Sequence, residues 1–299
     1  MRKSVKNWLL VLILVLAVAA VAGGYSAHRW YGRTPLISGD QPVRITVPQG
    51  SSLTGVARRM QMQGLLSFPR MFVVFARIEG HATRLHAGVY EIQPGMSASA
   101  LVERIVRGDS IRDEIRFIEG WTFRQIRAAL DAHAGLKHDS EGLSDSAILE
   151  RVGAIEKHPE GLFFPDSYQF AAGSSDFSVL RMAYSKMKST LETAWAERDR
   201  SVPLESPYDA LILASIVEKE TGHEADRARI SAVFNNRLRI GMRLQSDPTV
   251  IYGLGTAFDG NLRRVDLERD SLYNTYTRGG LPPTPICSPG TASIRAALR

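Results

Sequence analysis

An uninterrupted apolar run near the N-terminus is the first constraint on this chain. Arg2, Lys3 and Lys6 precede Trp8–Ala22, which holds no charged or strongly polar residue, and Gly23, Gly24 and Tyr25 extend the run to 18 residues. That is close to the ~20 residues a helix needs to cross a bilayer. Trp8 at one end, with Tyr25, Trp30 and Tyr31 at the other, supplies aromatic anchors at both interfaces. The length favours a transmembrane anchor over residues 1–33. A cleaved signal peptide is the alternative, because Ala20-Val21-Ala22 has the A-x-A form of a cleavage site. Either reading exports the chain beyond Arg33 and keeps the basic end inside.

The rest of the 299 residues is enough for two domains. With 44% hydrophobic residues against 25 Gly and 14 Pro, disorder is excluded as the main state. Cys287 is the single cysteine, which removes a disulfide scaffold, a zinc ribbon and a CxxC redox pair. The formal net charge of +6 favours an anionic neighbour. Lys and Arg are spread along the chain without a dense block, so nucleic acid is not an expected partner.

After a turn-rich linker at residues 33–43, one local pattern occurs three times. Ile45–Gly50 is followed by Ser52, Val56 and Met60; Tyr90–Gly95 by Ser97, Leu101 and Ile105; Phe117–Gly120 by Thr122, Ile126 and Leu130. Each copy predicts a strand, a glycine turn, a Ser or Thr helix cap and an apolar helical stripe. Chance matching of a common capping signature is the bland alternative. The first two copies delimit a unit at residues 43–108 whose grammar resembles a LysM-like βα module. Further on, Asp139–Pro159 is polar and reads as peripheral. Asp176–Arg198 reads as a helix with Val179, Met182, Ala183, Met187 and Leu191 inside.

Ser206-Pro207-Tyr208-Asp209 opens the next helix with a cap, a first-position proline and an acid at the third position. Residues 210–217 are apolar or small on every side, which predicts burial all round. Glu218 and Glu220 close the helix before Gly222, the expected C-cap. Burial and the negative end of the helix dipole are both expected to favour a protonated carboxyl there, as a general acid needs. The two glutamates point about 160° apart, so they cannot pair in one small site. Periodicity leaves open which of them is functional.

Seven segments then occur in order: Glu119–Thr122 (EGWT), Gly161–Tyr168 (GLFFPDSY), Leu213–Thr221 (LASIVEKET), Val233–Leu238 (VFNNRL), Gly241–Gly253 (GMRLQSDPTVIYG), Tyr273–Tyr276 (YNTY) and Gly280–Pro283 (GLPP). Over about residues 115–299 the set resembles the YceG-like family of endolytic murein transglycosylases, and the anchor and LysM-like unit agree with it. The resemblance implies an α+β protein: an N-terminal transmembrane helix, a small LysM-like module and a mixed α+β catalytic domain at 109–299. It implies a single-pass protein of the bacterial inner membrane with its catalytic domain in the periplasm. The reaction implied is cleavage of the MurNAc-β-1,4-GlcNAc bond within peptidoglycan strands to leave 1,6-anhydro ends, ending elongation of nascent strands. In the family's Glu-Lys-Glu motif the second acid is catalytic, which corresponds to Glu220. The muramyl 6-hydroxyl serves as nucleophile, so one acid suffices and neither cofactor nor metal is expected. The implied partners are glycan strands, the membrane, and peptidoglycan synthases or division proteins. The family continues past the segment matching Ser288–Gly290 with a further strand-containing stretch, so a C-terminally truncated catalytic domain is expected here.

Asn235, Gln245, Asp247, Tyr252, Asn274 and Tyr276 carry the hydrogen-bonding groups and flat faces that suit a sugar cleft. Turn chemistry at Ser246-Asp247-Pro248 and partly buried tyrosines are the alternatives. Phe163 and Phe164 read as core. His223–Arg227 lacks the second histidine of a zinc HExxH, and no GxSxG or GxxxxGK occurs. Two rivals remain: a non-catalytic wall-binding scaffold, and a lysozyme-like hydrolase with Asp247 activating water.

Overall fold

The structure is a computed structural model that describes residues 2–48, 50–81 and 85–299; Gln49, in the first glycine turn, lies outside that set. Helix α1 (Arg2–Arg33) contains the apolar run, and its side chains from Val11 to Val21 are exposed. Its last turn behaves differently, because Tyr31 is fully buried. The chain divides into two compact units, Met1–Asp113 with Ala171–Gly173, and Glu114–Phe170 with Ser174–Arg299.

In the first unit the elements follow as β1 (Val43–Val47), α2 (Leu53–Met62), α3 (Pro69–Ile78), β2 (Gly88–Ile92) and α4 (Ala98–Arg107). Strands β1 and β2 pair antiparallel with Ile45 opposite Tyr90. Strand alternation turns Ile45, Val47, Tyr90 and Ile92 into the core. Both glycine turns use the left-handed region, at φ 75° for Gly50 and 83° for Gly95. Ser52 then accepts from Gly55 N at 3.1 Å and Ser97 from Ala100 N at 3.3 Å, each capping its helix. The segment between α1 and β1 is irregular but tied down, with Leu36 N donating to Met96 O at 2.8 Å.

The third copy keeps its turn and helix, Gly120 at φ 79° and α5 (Phe123–Asp131) with a reciprocal capping box between Thr122 and Gln125, but the strand there, β3 (Arg112–Arg116), ends before Phe117, where the pattern predicts it. Next come β4 (Leu136–Lys137), α6 (Asp145–Val152), β5 (Ser167–Ala171), β6 (Ser174–Ser175) and α7 (Asp176–Ala196). Strand β3 pairs with β5, and β4 runs parallel to β6. The chain then continues through α8 (Pro207–Glu220), α9 (Glu224–Arg239), α10 (Asp247–Leu254), α11 (Arg264–Glu268) and α12 (Thr291–Ala297). The fold is therefore mixed α+β with an N-terminal apolar helix.

Further sequence expectations change. Residues 139–159 are not merely peripheral, because α6 buries Ile148, Leu149 and Val152. Met182 lies on the outer side of α7, 39% exposed. Gly222 is not a left-handed cap; the chain leaves α8 through Thr221, extended at φ −148° and ψ 137°. Thr221 Oγ1 accepts from His223 N at 2.9 Å and stabilises that exit.

Phe163 stacks on Phe123 with ring centroids 5.0 Å apart, and both belong to the core around α8. The chain enters this cluster through Gly161 at φ 78°, where an added Cβ would lie 2.5 Å from Pro285 Cβ. Gly161→Ala is therefore expected to lower unfolding stability by about 2 kcal/mol or more. Gly222→Ala meets nothing within 4 Å and should stay within about 0.5 kcal/mol. Urea midpoints of the two variants check both.

Candidate active site

Helix α8 places the site. Ser206 Oγ accepts from Asp209 N at 3.1 Å while the Asp209 carboxylate accepts from Ser206 N at 2.9 Å, closing the capping box around Pro207. From Ala210 to Val217 no residue is more than 4% exposed. Inside this stretch Ser215 Oγ donates to Ile212 O at 2.7 Å and accepts from Ile286 N at 3.0 Å, so the C-terminal segment lies along the helix.

The two glutamates of the last turn diverge as their spacing predicts. The Glu218 side chain is 6% exposed and accepts from Arg227 at 3.3 Å and from Gly290 N at 2.9 Å. Arg227 Nε also donates to Ser293 Oγ at 3.0 Å, joining α8, α9 and α12 through one ion pair. Burial, then the Glu218 charge, raises the Glu119 carboxyl beside this pair.

Glu220 is exposed, because the apolar environment ends with Val217. Its Oε1 accepts from Ser246 Oγ at 2.5 Å. Ser246 is itself buried and fixed: its N–H donates to Thr275 Oγ1 at 3.0 Å and its carbonyl accepts from Thr249 Oγ1 at 2.7 Å. Gln245, just before it, has φ 51°, the one positive-φ residue other than glycine among the described residues. Such a conformation persists only where its surroundings enforce it. Leu244, fully buried, and the Gln245 N–H bond to Thr275 O at 3.1 Å do so. Tyr276 Oη donates to Asp247 Oδ1 at 2.6 Å. Burial, then Asp247, pushes that hydroxyl up to about 12, with Glu220 adding to the shift. Glu220, Ser246, Asp247 and Tyr276 therefore form one polar group.

Beside it runs a cleft of about 1070 Å³. Its walls include Phe123, Arg124 and Arg127 of α5, Lys219 of α8, and Ile251 and Tyr252 of α10. Glu220 and Asp247 stand one residue away from that lining, since Lys219 and Pro248 are the neighbours that face it. Tyr252 meets Tyr273 edge-on at 4.9 Å, giving an aromatic wall suited to a sugar face.

Of the sequence-selected residues, Tyr252 lines the cleft, Asp247 and Tyr276 bond each other next to the Ser246 that holds Glu220, and Gln245 supports that serine from the preceding position. Asn235 and Asn274 do not open onto it. The Asn235 amide is 3% exposed and donates to Ala297 O at 3.3 Å, holding α12 to α9. The Asn274 amide is 1% exposed and donates to Leu267 O at 3.0 Å and Arg269 O at 2.6 Å, folding its own loop. Both are positioning groups, a role that residue type alone does not distinguish from ligand contact.

Sequence reasoning missed Glu160. It lines the cleft yet is only 4% exposed, and it accepts from Phe123 N at 2.9 Å and Tyr252 Oη at 3.0 Å. Burial pushes its carboxyl up to about 7, against the lowering effect of those two hydrogen bonds. The available signal was its position next to the apolar run Gly161–Pro165.

A raised carboxyl pKa means that the folded state holds more protons than the unfolded state between about 4.5 and about 7. The Glu160 contribution is therefore most favourable at low pH and declines as pH rises through that window. Glu160→Gln keeps an acceptor without the charge. The stability difference between variant and parent should grow in the variant's favour by about 2–3 kcal/mol from pH 5 to pH 8. Chemical denaturation of both proteins at the two pH values measures it.

Comparison with known proteins shows the family. The YceG-like family profile matches residues 45–299. The endolytic murein transglycosylase of Bacillus subtilis (strain 168) is 31% identical over 274 residues, which cover 86% of this chain and 75% of that one. The protein of the same name from Streptococcus pneumoniae (strain D39) is 25% identical, over 98% of this chain and 59% of its own length. A crystal structure of a yceG-like protein from Listeria monocytogenes superposes with a TM-score of 0.51 at 28% identity, covering 87% of this chain and 90% of that one. With the family profile extending from β1 to the last residue, this chain belongs to the YceG-like family.

Proposed function

We propose that the chain is a membrane-anchored lytic transglycosylase that cuts within peptidoglycan strands, with Glu220 as its catalytic residue. The observation that carries this is the exposed Glu220 carboxyl, held by a buried serine at the margin of an aromatic-walled cleft. The names of the relatives support the substrate and reaction class.

Glu220 first acts as general acid and protonates the glycosidic oxygen as the C1–O bond breaks, releasing the GlcNAc 4-hydroxyl. The MurNAc 6-oxygen then bonds to C1, and its proton passes to Glu220, which regains its starting state. No water is consumed, and the product carries a 1,6-anhydro ring. Ser246 fixes the carboxyl, and Tyr276 with Asp247 flanks it. Tyr252, Tyr273 and the Arg124, Arg127 and Lys219 cations suit sugar faces and anionic stem peptides respectively. Helix α1, with a candidate span at Val11–Arg33, anchors the protein once in the inner membrane, its basic end inside and both folded units on the periplasmic side. Residues 43–108, within the first unit, are proposed as a LysM-like module, and cutting within new strands would end their elongation alongside the synthesis and division machinery.

The test is digestion of purified peptidoglycan by the detergent-solubilised full chain and its Glu220→Gln variant, with mass spectrometry of the fragments. The parent should release ends one water lighter than hydrolysis products, and the variant should be slower by about 10²–10⁴-fold. Reducing ends would instead assign Asp247 as a water-activating base, and a folded but inactive parent would assign a wall-binding scaffold.

A further inference from the structure

The first unit carries an outer surface that its own core does not use. Beyond α1, its large exposed hydrophobic residues among the described ones are Met62, Phe68, Val74 and Ile78. All four belong to α2, α3 or the turn between them. On α3 the residues Arg70, Val74, Arg77 and Ile78 follow the i, i+4, i+7, i+8 spacing of one helical face. Val74 is 52% exposed and Ile78 74%. Thr54, Arg58 and Gln61 of α2 face the same side, and the groove between the two helices encloses about 470 Å³. No ion pair among the described residues involves Arg58, Arg70 or Arg77. The one acid of α2 and α3 or their ends, Glu79, accepts instead from Tyr31 Oη at 2.9 Å.

Helix α1 fixes the level of this surface. At 1.5 Å per residue, about 20 residues span the hydrocarbon core, so a helix entering at Trp8 leaves it near His28. Helix α3 packs there. His28 meets Phe75 at 5.8 Å between ring centroids, Trp30 meets Phe68 at 5.4 Å, and Tyr31 meets Phe75 at 5.3 Å. A helix held at the bilayer exit, with apolar side chains and arginines on its free face that make no ion pair among the described residues, has the composition of an interfacial helix.

We propose that the outer face of α2 and α3 is a second membrane contact, seated among anionic phospholipid headgroups where α1 emerges. Phe68, Val74 and Ile78 enter the boundary with the acyl chains, and Arg58, Arg70 and Arg77 engage lipid phosphates. The inference rests on the anchor reading, because α1 sets the depth. Its consequence is orientation: the first unit is fixed against the bilayer at two places and does not pivot freely about a single helix.

The experiment uses the full chain in vesicles of phosphatidylethanolamine and phosphatidylglycerol. Single cysteines at Ile78→Cys, Asp109→Cys and Val15→Cys carry a fluorophore; native Cys287 is fully buried. Quenching is read with lipids spin-labelled near the headgroup and deep in the chain. The Ile78 probe should be quenched by the shallow label several-fold more than the Asp109 probe. Arg58→Gln, Arg70→Gln and Arg77→Gln together, or replacement of phosphatidylglycerol by phosphatidylcholine, should reduce that difference. Equal quenching at positions 78 and 109, with deep quenching at 15, would overturn the inference and leave the anchor standing. Absence of quenching at 15 would overturn both. Quenching at 78 that ignores lipid charge would overturn the headgroup assignment.

Discussion

A helix buried on every side has only its ends available for chemistry, and α8 is such a helix. Its apolar stretch is wrapped by α7, α9, α12 and the segment running from Thr284 to Gly290. The last turn then presents Glu218 and Glu220 in opposite directions, and each meets a different environment. Glu218 enters a closed set of donors on Arg227 and Gly290. A buried charge of this kind is tolerated because its lone pairs are occupied, and it is destabilising once a partner is lost. Glu220 reaches the open side, where one serine donor holds it without enclosing it. One turn of helix thereby places one acid in an enclosed ion pair and the other on an open side.

The open side is built to be stiff. The buried Thr249 and Thr275 hydroxyls lie 2.9 Å apart and bond the Ser246 backbone, Thr249 donating to its carbonyl and Thr275 accepting from its N–H. The left-handed Gln245 is the local strain that this network sustains. Asn274 adds to it from the next loop, accepting from Tyr276 N at 2.8 Å and so fixing the tyrosine that bonds Asp247. Asn235 and Asn274, which look like sugar ligands by type, are in this way supports for other residues.

Local chemistry made much of the fold legible. Ser52, Ser97, Thr122 and Ser206 cap helices because a hydroxyl just before an apolar stripe has few better uses than free N–H groups. The divergence of Glu218 and Glu220 came from helix geometry alone. Features that stayed hidden depended on distant partners or on the backbone path. Gly222 looked like a cap, but Thr221 could leave the helix in an extended conformation. Asn235 and Asn274 looked like ligands until the carbonyls of Ala297, Leu267 and Arg269 came near. Glu160 stands just past the polar stretch Asp139–Pro159 and drew no reading of its own; its burial arises from α5 and Tyr252, 37 and 92 residues away.

The two acids of one helical turn thus meet different environments, a closed ion pair for Glu218 and an open side for Glu220, where we propose the chemistry takes place. The most direct measurement is the denaturation midpoint of the full chain carrying Glu218→Gln against that carrying Glu220→Gln. Loss of the buried partner of Arg227 should lower stability by about 3 kcal/mol or more, whereas the exposed Glu220 change should stay within about 0.5 kcal/mol of the parent. Equal losses, or a larger loss at Glu220, would contradict the division of roles.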